Sequence, residues 1–99
     1  MKTVLVEYNL LPEADVEDVE RHIEEFVAGI RSLEVGIWYT SHRRPGAARS
    51  YTHVGFMPDD AAQAKLQAAP FFAPFGQYLR TVTVEPPRVT WLEVVATTA

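Results

Sequence analysis

Residues 33–57 read LEVGIWYTSHRRPGAARSYTHVGFM, two strand-like segments separated by a turn. Its first part, residues 33–44, alternates in the manner of a β-strand, and one face of that strand carries Leu33, Val35, Ile37 and Tyr39. The segment PGAAR at 45–49 has the composition of a turn, and SYTHVGFM at 50–57 predicts a strand that returns antiparallel to the first. The stretch therefore predicts a β-hairpin.

A helix is predicted on each side of this hairpin. Before it, residues 13–31 carry apolar side chains at three- and four-residue steps, namely Val16, Val19, Ile23, Phe26, Val27 and Ile30. Asp15 has the side chain of a helix N-cap. After the hairpin, Asp59 or Asp60 is predicted to cap an alanine-rich helix that runs to about Ala69.

Proline interrupts the second helix within AAPFFAPFG at 68–76. Because proline is tolerated in the first turn of a helix and disruptive further in, the helix is predicted to restart with Pro74 near its beginning. It then presents an apolar stripe made of Phe71, Phe72, Phe75, Tyr78 and Leu79. TVLVEYNL at 3–10 and RVTWLEVVA at 88–96 predict the first and last strands. The order βαββαβ predicts an α+β, ferredoxin-like split βαβ fold whose antiparallel sheet carries helices on one face.

The composition limits the classes of function. A chain of 99 residues predicts a single domain, residues 1–99, and its net charge of −4 argues against nucleic acid as a partner, because phosphate binding needs a basic face. The chain has no cysteine, and its three histidines lack a metal-binding spacing, so no metal is predicted. The N-terminal apolar run is too short for a signal peptide or a membrane span, so we expect no membrane partner and a cytoplasmic location.

Large apolar side chains occur on both faces of several predicted strands. Trp38 lies opposite Ile37, and Leu92 lies opposite Trp91. A sheet with one face in water alternates apolar and polar residues, and the helices cover only one face. We therefore expect a second copy of the chain to cover the other face, giving a homodimer through packed sheets that forms a dimeric α/β barrel.

Polar residues inside the predicted strands are candidates for a functional site. Glu7 and Asn9 share the face of Leu5, where each faces either water or a ligand pocket, and Asn9 can instead satisfy the turn that follows. His53 shares a face with Tyr51 and has the pKa range to move a proton, although a hydrogen-bonded structural histidine is the alternative.

Aromatic residues give a second set of candidates. Trp38 and Trp91 either line a cavity for an aromatic ligand or belong to the dimer core. The sequence contains no phosphate loop, dinucleotide fingerprint or Ser-His-Asp arrangement, and no cofactor is predicted.

With these elements in place, the chain resembles the dimeric α/β-barrel superfamily, and within it the antibiotic biosynthesis monooxygenase-type domains. The resemblance rests on the first strand, which ends in EYN, on FMPDDAAQAKLQAAPFFAPFGQYL at 56–79 and on PPRVTWLEVV at 86–95. It implies a flat aromatic substrate between the sheet and the helices. In some members it also implies oxygenation of phenols or quinols without metal or flavin, with the substrate anion activating oxygen.

The resemblance also bears on individual positions. Asn9 matches the place where several members carry a functional asparagine. Haem-degrading members have a tryptophan on the second helix and a histidine iron ligand further along it, and those positions hold Lys65 and Phe75 here. Without an axial histidine, haem chemistry is not expected. Lys65 and Phe75 remain candidates for contact with the substrate.

A sister branch, the stress-responsive dimeric barrel domains, includes a plant polyketide cyclase and shares the YTH of residues 51–53. Its HPAH motif corresponds to APFF at 69–72, so Phe72 stands where that branch has its acid/base histidine. Both comparisons place phenylalanine where relatives have a titratable side chain.

These observations leave three hypotheses open. The first is a cofactor-independent monooxygenase for a small aromatic, quinol or polyketide-type substrate, with Asn9 orienting the substrate oxygen and His53 as the base. Its substrate contacts are expected at Glu7, Trp38, Tyr51, Lys65, Phe72 and Phe75. The second is a non-catalytic barrel that binds a hydrophobic ligand, and the third is a polyketide cyclase or isomerase acting by proton transfer. The first gains weight if Asn9, Glu7 and His53 all face the helices.

Overall fold

The structure, a computed structural model, describes residues 1–98 and has the predicted order of strands and helices. Its elements are β1 (Lys2–Asn9), α1 (Val16–Leu33), β2 (Trp38–Arg44), β3 (Ala47–Met57), α2 (Asp60–Ala68), α3 (Phe72–Val82) and β4 (Arg88–Glu93). The four strands form one antiparallel sheet in the order β2-β3-β1-β4. The predicted ferredoxin-like α+β fold is confirmed.

The helices begin where their caps predict. The Asp15 carboxylate accepts from the backbone N–H groups of Glu17 and Asp18 at the start of α1, and Asp59 accepts from Ala62 at the start of α2. Pro74 is the third residue of α3, inside the first turn, where its missing N–H leaves no helical hydrogen bond unmade.

The predicted start of the second strand at Leu33 is wrong, because α1 extends to Leu33 and β2 begins only at Trp38. Between them Glu34 has φ 52° and Gly36 has φ 79°, values that an extended strand does not contain. Leu33 at the end of α1 and Ile37 in the connection nevertheless pack against the core.

All three helices lie on one face of the sheet, and the core fills the space between them. One buried cluster joins Tyr8 and Tyr51 of the sheet to Val19, Ile23 and Leu79 of the helices. A second cluster contains Val4, Phe26, Ile30, Met57 and Leu66. We call the opposite side of the sheet the outer face.

The outer face carries Leu5, Trp38, Val54, Phe56 and Leu92. Trp38 is 64% exposed and Leu92 46% exposed. Among residues 1–98, no helix is both long enough and apolar enough to cross a lipid bilayer.

Candidate functional site

A cavity of about 410 Å³ lies between the sheet and helices α2 and α3. Its walls are mainly apolar, and five aromatic side chains contribute to them: Phe26, Tyr39, Phe72, Phe75 and Trp91. Phe26 stacks on Phe75 with ring centroids 4.2 Å apart and meets Tyr39 edge to face at 5.5 Å. A flat, apolar ligand matches such walls, because aromatic rings favour offset stacking and edge contacts.

Few polar groups line this cavity. The polar lining residues are Gln63, Gln67, Gln77 and Tyr39, of which Tyr39 also lines a groove beside α1. Arg80, exposed on α3, is the one charged side chain among the described lining residues, and no carboxylate or histidine is among them. The polar groups available to a ligand are therefore amides, a phenol and one guanidinium.

Behind the Tyr39 wall lies His53, which is completely buried on β3. Its Nδ1 is 2.8 Å from the Tyr39 hydroxyl and its Nε2 is 2.7 Å from the Tyr8 hydroxyl. The Ser41 hydroxyl lies 3.4 Å from Nε2. We call Tyr8, Tyr39 and His53 the tyrosine–histidine array.

Strand register brings the array together. Tyr8 comes from β1, His53 from β3 and Tyr39 from β2, three adjacent strands, and all three side chains point toward the helices. Gly55 lies opposite Tyr39 in the ladder. Its lack of a side chain leaves room for the tyrosine ring, since a Cβ there would lie 2.9 Å from Tyr39 Cδ2.

Burial keeps every member of the array uncharged. It lowers the pKa of His53 to about 4, with a smaller contribution from His42. It also holds the pKa values of Tyr8 and Tyr39 far above the usual range of a phenol. At neutral pH the array is thus a set of neutral hydrogen-bonding groups.

Tyr51, an expected substrate contact, lies beside the array but not on the wall of the cavity. Its ring stacks on Tyr8 at 5.6 Å, and its hydroxyl donates to Glu20 Oε2 at 2.7 Å. Burial and this hydrogen bond raise the pKa of Tyr51 to about 12. Arg43 also contacts Glu20, at 3.2 Å, so Tyr51 links β3 to α1.

Of the other expected substrate contacts, Phe72 and Phe75 line the cavity. Lys65 is exposed on α2 and is not among the lining residues. Trp38 lies on the outer face, because strand alternation places it opposite Tyr39, and Trp91 lines the cavity in its stead.

Asn9 and Glu7 also lie on the outer face, on the opposite side of β1 from Tyr8. The Asn9 side-chain oxygen accepts from the Ser50 hydroxyl at 2.6 Å, and Glu7 pairs with Arg44 at 3.3 Å. The sheet therefore separates Asn9 and Glu7 from His53. One copy of the chain does not bring the two expected catalytic side chains together.

Tyr8 and Tyr39 are not among the site residues that the sequence predicts, although both contact His53. A signal for them was present, because the alternation that places Asn9 and Trp38 outward places Tyr8 and Tyr39 inward. Alternation does not give the strand order, and it is the strand order that makes Tyr8 and Tyr39 neighbours of His53. Among residues 1–98 no group of three or more histidine and carboxylate side chains is placed to hold a metal ion.

Comparison with known proteins establishes the fold. No protein-family model matches the chain, and no curated protein matches it. Among solved structures, an antibiotic biosynthesis monooxygenase superimposes with a TM-score of 0.85 at 19% identity, over 97% of this chain and 100% of the other. A variant of SnoaB, a cofactor-independent oxygenase from Streptomyces nogalater, gives 0.82 at 16% identity, over 98% and 95%.

Rv0793 from Mycobacterium tuberculosis gives a TM-score of 0.87 at 12% identity, over 99% of this chain and 98% of the other. The likeness spans whole chains, so the ferredoxin-like fold of antibiotic biosynthesis monooxygenase-like proteins, to which the sequence resemblance pointed, is confirmed.

Proposed function

We propose that this protein is a cofactor-independent oxygenase whose substrate is a small aromatic molecule of the quinol or polyketide type. The observation that carries the proposal is the cavity of about 410 Å³ with its aromatic walls. It is supported by the fold, which SnoaB, a cofactor-independent oxygenase, shares.

The reaction that suits this cavity oxidises an activated CH₂ group flanked by aromatic rings. Loss of one proton to solvent water gives a delocalised carbanion, which passes electrons to O₂, forms a C–O bond and takes a proton back from solvent to become a hydroperoxide. Loss of water then leaves a carbonyl, so that R₂CH₂ and O₂ become R₂C=O and H₂O. The substrate supplies all the electrons, and the protein must hold the ring and favour the anion.

Two features of the cavity serve those needs. Phe26 and Phe75 stack on each other and give the cavity an apolar aromatic wall against which a flat ring can pack. Arg80 forms no salt bridge with any described residue, and its positive charge near the ring lowers the pKa of a bound acid. His53 does not line the cavity, so we do not assign it the substrate's proton, and Asn9 has no contact there.

Oxygen uptake with anthrone as the probe tests the proposal. We expect the wild-type protein to take up oxygen faster than the uncatalysed rate. Ala73→Trp, which fills part of the cavity from α3, should remove most of that added uptake. Ala68→Trp is the matched control, because Ala68 is exposed on the neighbouring helix and does not line the cavity. Uptake equal to the uncatalysed rate in all three proteins would refute an oxygenase of this kind.

One observation favours a non-catalytic binding protein as the second candidate. The described lining residues include neither a carboxylate nor a histidine, so no ordinary general base reaches the ligand. A binding protein of this kind takes up anthrone stoichiometrically without consuming oxygen. Equilibrium binding measured beside oxygen uptake therefore separates the two candidates.

We also propose that a second copy of the chain covers the outer face, as the apolar strand residues predict. Support comes from Trp38 and Phe56, which are directly opposed in the β2–β3 ladder, and from Leu92 at the other edge of the sheet. With Leu5 and Val54 of the neighbouring row, they give each of the four strands an apolar side chain on the outer face, a composition that homodimer interfaces bury.

A further inference from the structure

The hydrogens of the tyrosine–histidine array can be counted. A neutral imidazole carries one N–H, and both nitrogens of His53 have a tyrosine hydroxyl within 2.8 Å. One tyrosine must therefore donate to His53 and the other must accept from it. Only two arrangements satisfy this condition, and they differ in which tyrosine keeps a free O–H.

The burial of Tyr8 determines which of the two hydrogen arrangements is favoured. Tyr8 is 5% exposed, and its hydroxyl has no hydrogen-bond partner among residues 1–98 other than His53. If His53 donated to it, the Tyr8 O–H would be left buried without an acceptor, which is costly. Tyr8 therefore donates to Nε2. The Ser41 hydroxyl lies farther from the same nitrogen, at 3.4 Å.

It follows that the His53 N–H is on Nδ1 and donates to the oxygen of Tyr39. The Tyr39 hydroxyl then keeps its own hydrogen, for which no described residue provides an acceptor. Tyr39 is also a wall residue of the cavity. We propose that Tyr39, held by His53 and Tyr8, donates its hydroxyl hydrogen to an acceptor oxygen of the aromatic ligand, a positioning role that rests on the proposed function of the cavity.

A free Tyr39 O–H requires a particular functional group on the ligand, whereas an apolar wall requires only a matching shape. A ligand that satisfies the Tyr39 O–H must carry a carbonyl or phenolate oxygen on its ring system, and a hydrocarbon of the same shape does not. Burial keeps Tyr39 protonated, so it remains a donor across the ordinary pH range. His53 and Tyr8 act through Tyr39 and do not touch the ligand.

Binding of α-tetralone and tetralin, which differ by one carbonyl in place of a CH₂, tests the donor. In a Trp38→Phe background, Trp91 on the cavity wall is the sole tryptophan and reports binding by fluorescence. We expect Tyr39→Phe to lower the ratio of tetralone to tetralin affinity by about two- to tenfold, the effect of one neutral hydrogen bond. Tyr51→Phe, the matched control, leaves the ratio unchanged, because that hydroxyl binds Glu20. An unchanged ratio in Tyr39→Phe overturns the proposal.

The tautomer of His53 provides a second test, in the unaltered protein. ¹⁵N NMR of the imidazole should show the proton on Nδ1, and a proton on Nε2 overturns the assignment even if Tyr39→Phe fails to fold. Retention of the tetralone preference without oxygen uptake from anthrone would refute only the oxygenase. Failure of both tetralone and tetralin to bind the wild-type protein would refute the oxygenase and the Tyr39 donor alike, because each needs the cavity to hold an aromatic ring.

Discussion

Two glycine-to-alanine substitutions should change stability in opposite directions. Gly55 lies on β3 beneath the Tyr39 ring, and a Cβ added there would lie 2.9 Å from Tyr39 Cδ2 and 2.9 Å from Val4 Cγ1. Neither neighbour has an easy way to move, since Val4 is 6% exposed and the Tyr39 hydroxyl is bound to His53. Gly76, on α3, has no heavy atom within 4 Å of the corresponding position apart from its chain neighbours and the backbone of its own helix.

The magnitudes follow from this difference in surroundings. Overpacking a core by one methyl group costs about 1–3 kcal/mol, and replacing glycine returns about 0.4–1 kcal/mol by restricting the unfolded chain. The net loss for Gly55→Ala is about 1–2 kcal/mol, which lowers Tm by roughly 5–15 °C in a domain of this size. Gly76→Ala restricts the unfolded chain without overpacking the core, so it should raise the free energy of unfolding by about 0.5–1 kcal/mol.

Urea unfolding of both variants at one protein concentration measures these changes, because the stability of a self-associating chain depends on concentration. The slope against urea should stay the same, so that the midpoints carry the difference. Gly55→Ala should also lower the preference for tetralone by displacing the Tyr39 ring. A Gly55→Ala variant as stable as wild type would refute the close packing between β3 and Tyr39.

Three further outcomes are expected. Burial holds the pKa of His53 at about 4 in the folded chain against 6.5 in the unfolded chain, so below pH 6.5 only the unfolded chain takes up the proton. This histidine should therefore remove about 3 kcal/mol of unfolding free energy as the pH falls from about 6.5 to about 4, and His53→Gln should lack that component in urea titrations. Tyr78→Phe deletes a hydroxyl that donates to Asp18 at 2.8 Å and should cost about 1 kcal/mol, with a double-mutant cycle against Asp18→Ala returning a coupling of that size. Wild type should sediment at twice the 11.1 kDa of one chain and Trp38→Asp at 11.1 kDa, and a wild-type mass of 11.1 kDa at micromolar concentration contradicts the dimer.

Most of the fold could be predicted because its signals are local. The Asp15 cap, the apolar stripe of α1 and the position of Pro74 each depend on a few neighbouring residues, and each is confirmed. The start of β2 could not be predicted from alternation alone. Leu33 and Ile37 point inward from a helix end and a connection, so they mimic the period of a strand without its backbone.

The site was harder to predict because it depends on residues distant in sequence. His53 and Tyr8 are 45 positions apart, and only the pairing of β1 with β3 places them in contact. Phe72 and Phe75 could be recognised as wall residues, since their helix lies across the sheet. Asn9 matched a functional position of the resembled family, yet the match carried no information about its neighbours, which here are Ser50 and the outer face.

The sheet divides the polar candidates into two sets that respond to different changes. Tyr8, Tyr39 and His53 are enclosed by the helices of their own chain, so a contact on the outer face does not cover them. Asn9 and Glu7 lie on the face that a second copy is proposed to cover, so dimerisation alters their exposure. Dilution of the protein should therefore leave the tautomer of His53 unchanged, whereas Asn9 should influence ligand binding only through assembly. If Asn9→Ala weakened tetralone binding without changing the sedimentation mass, Asn9 would act on the cavity through the sheet itself, and this division would be wrong.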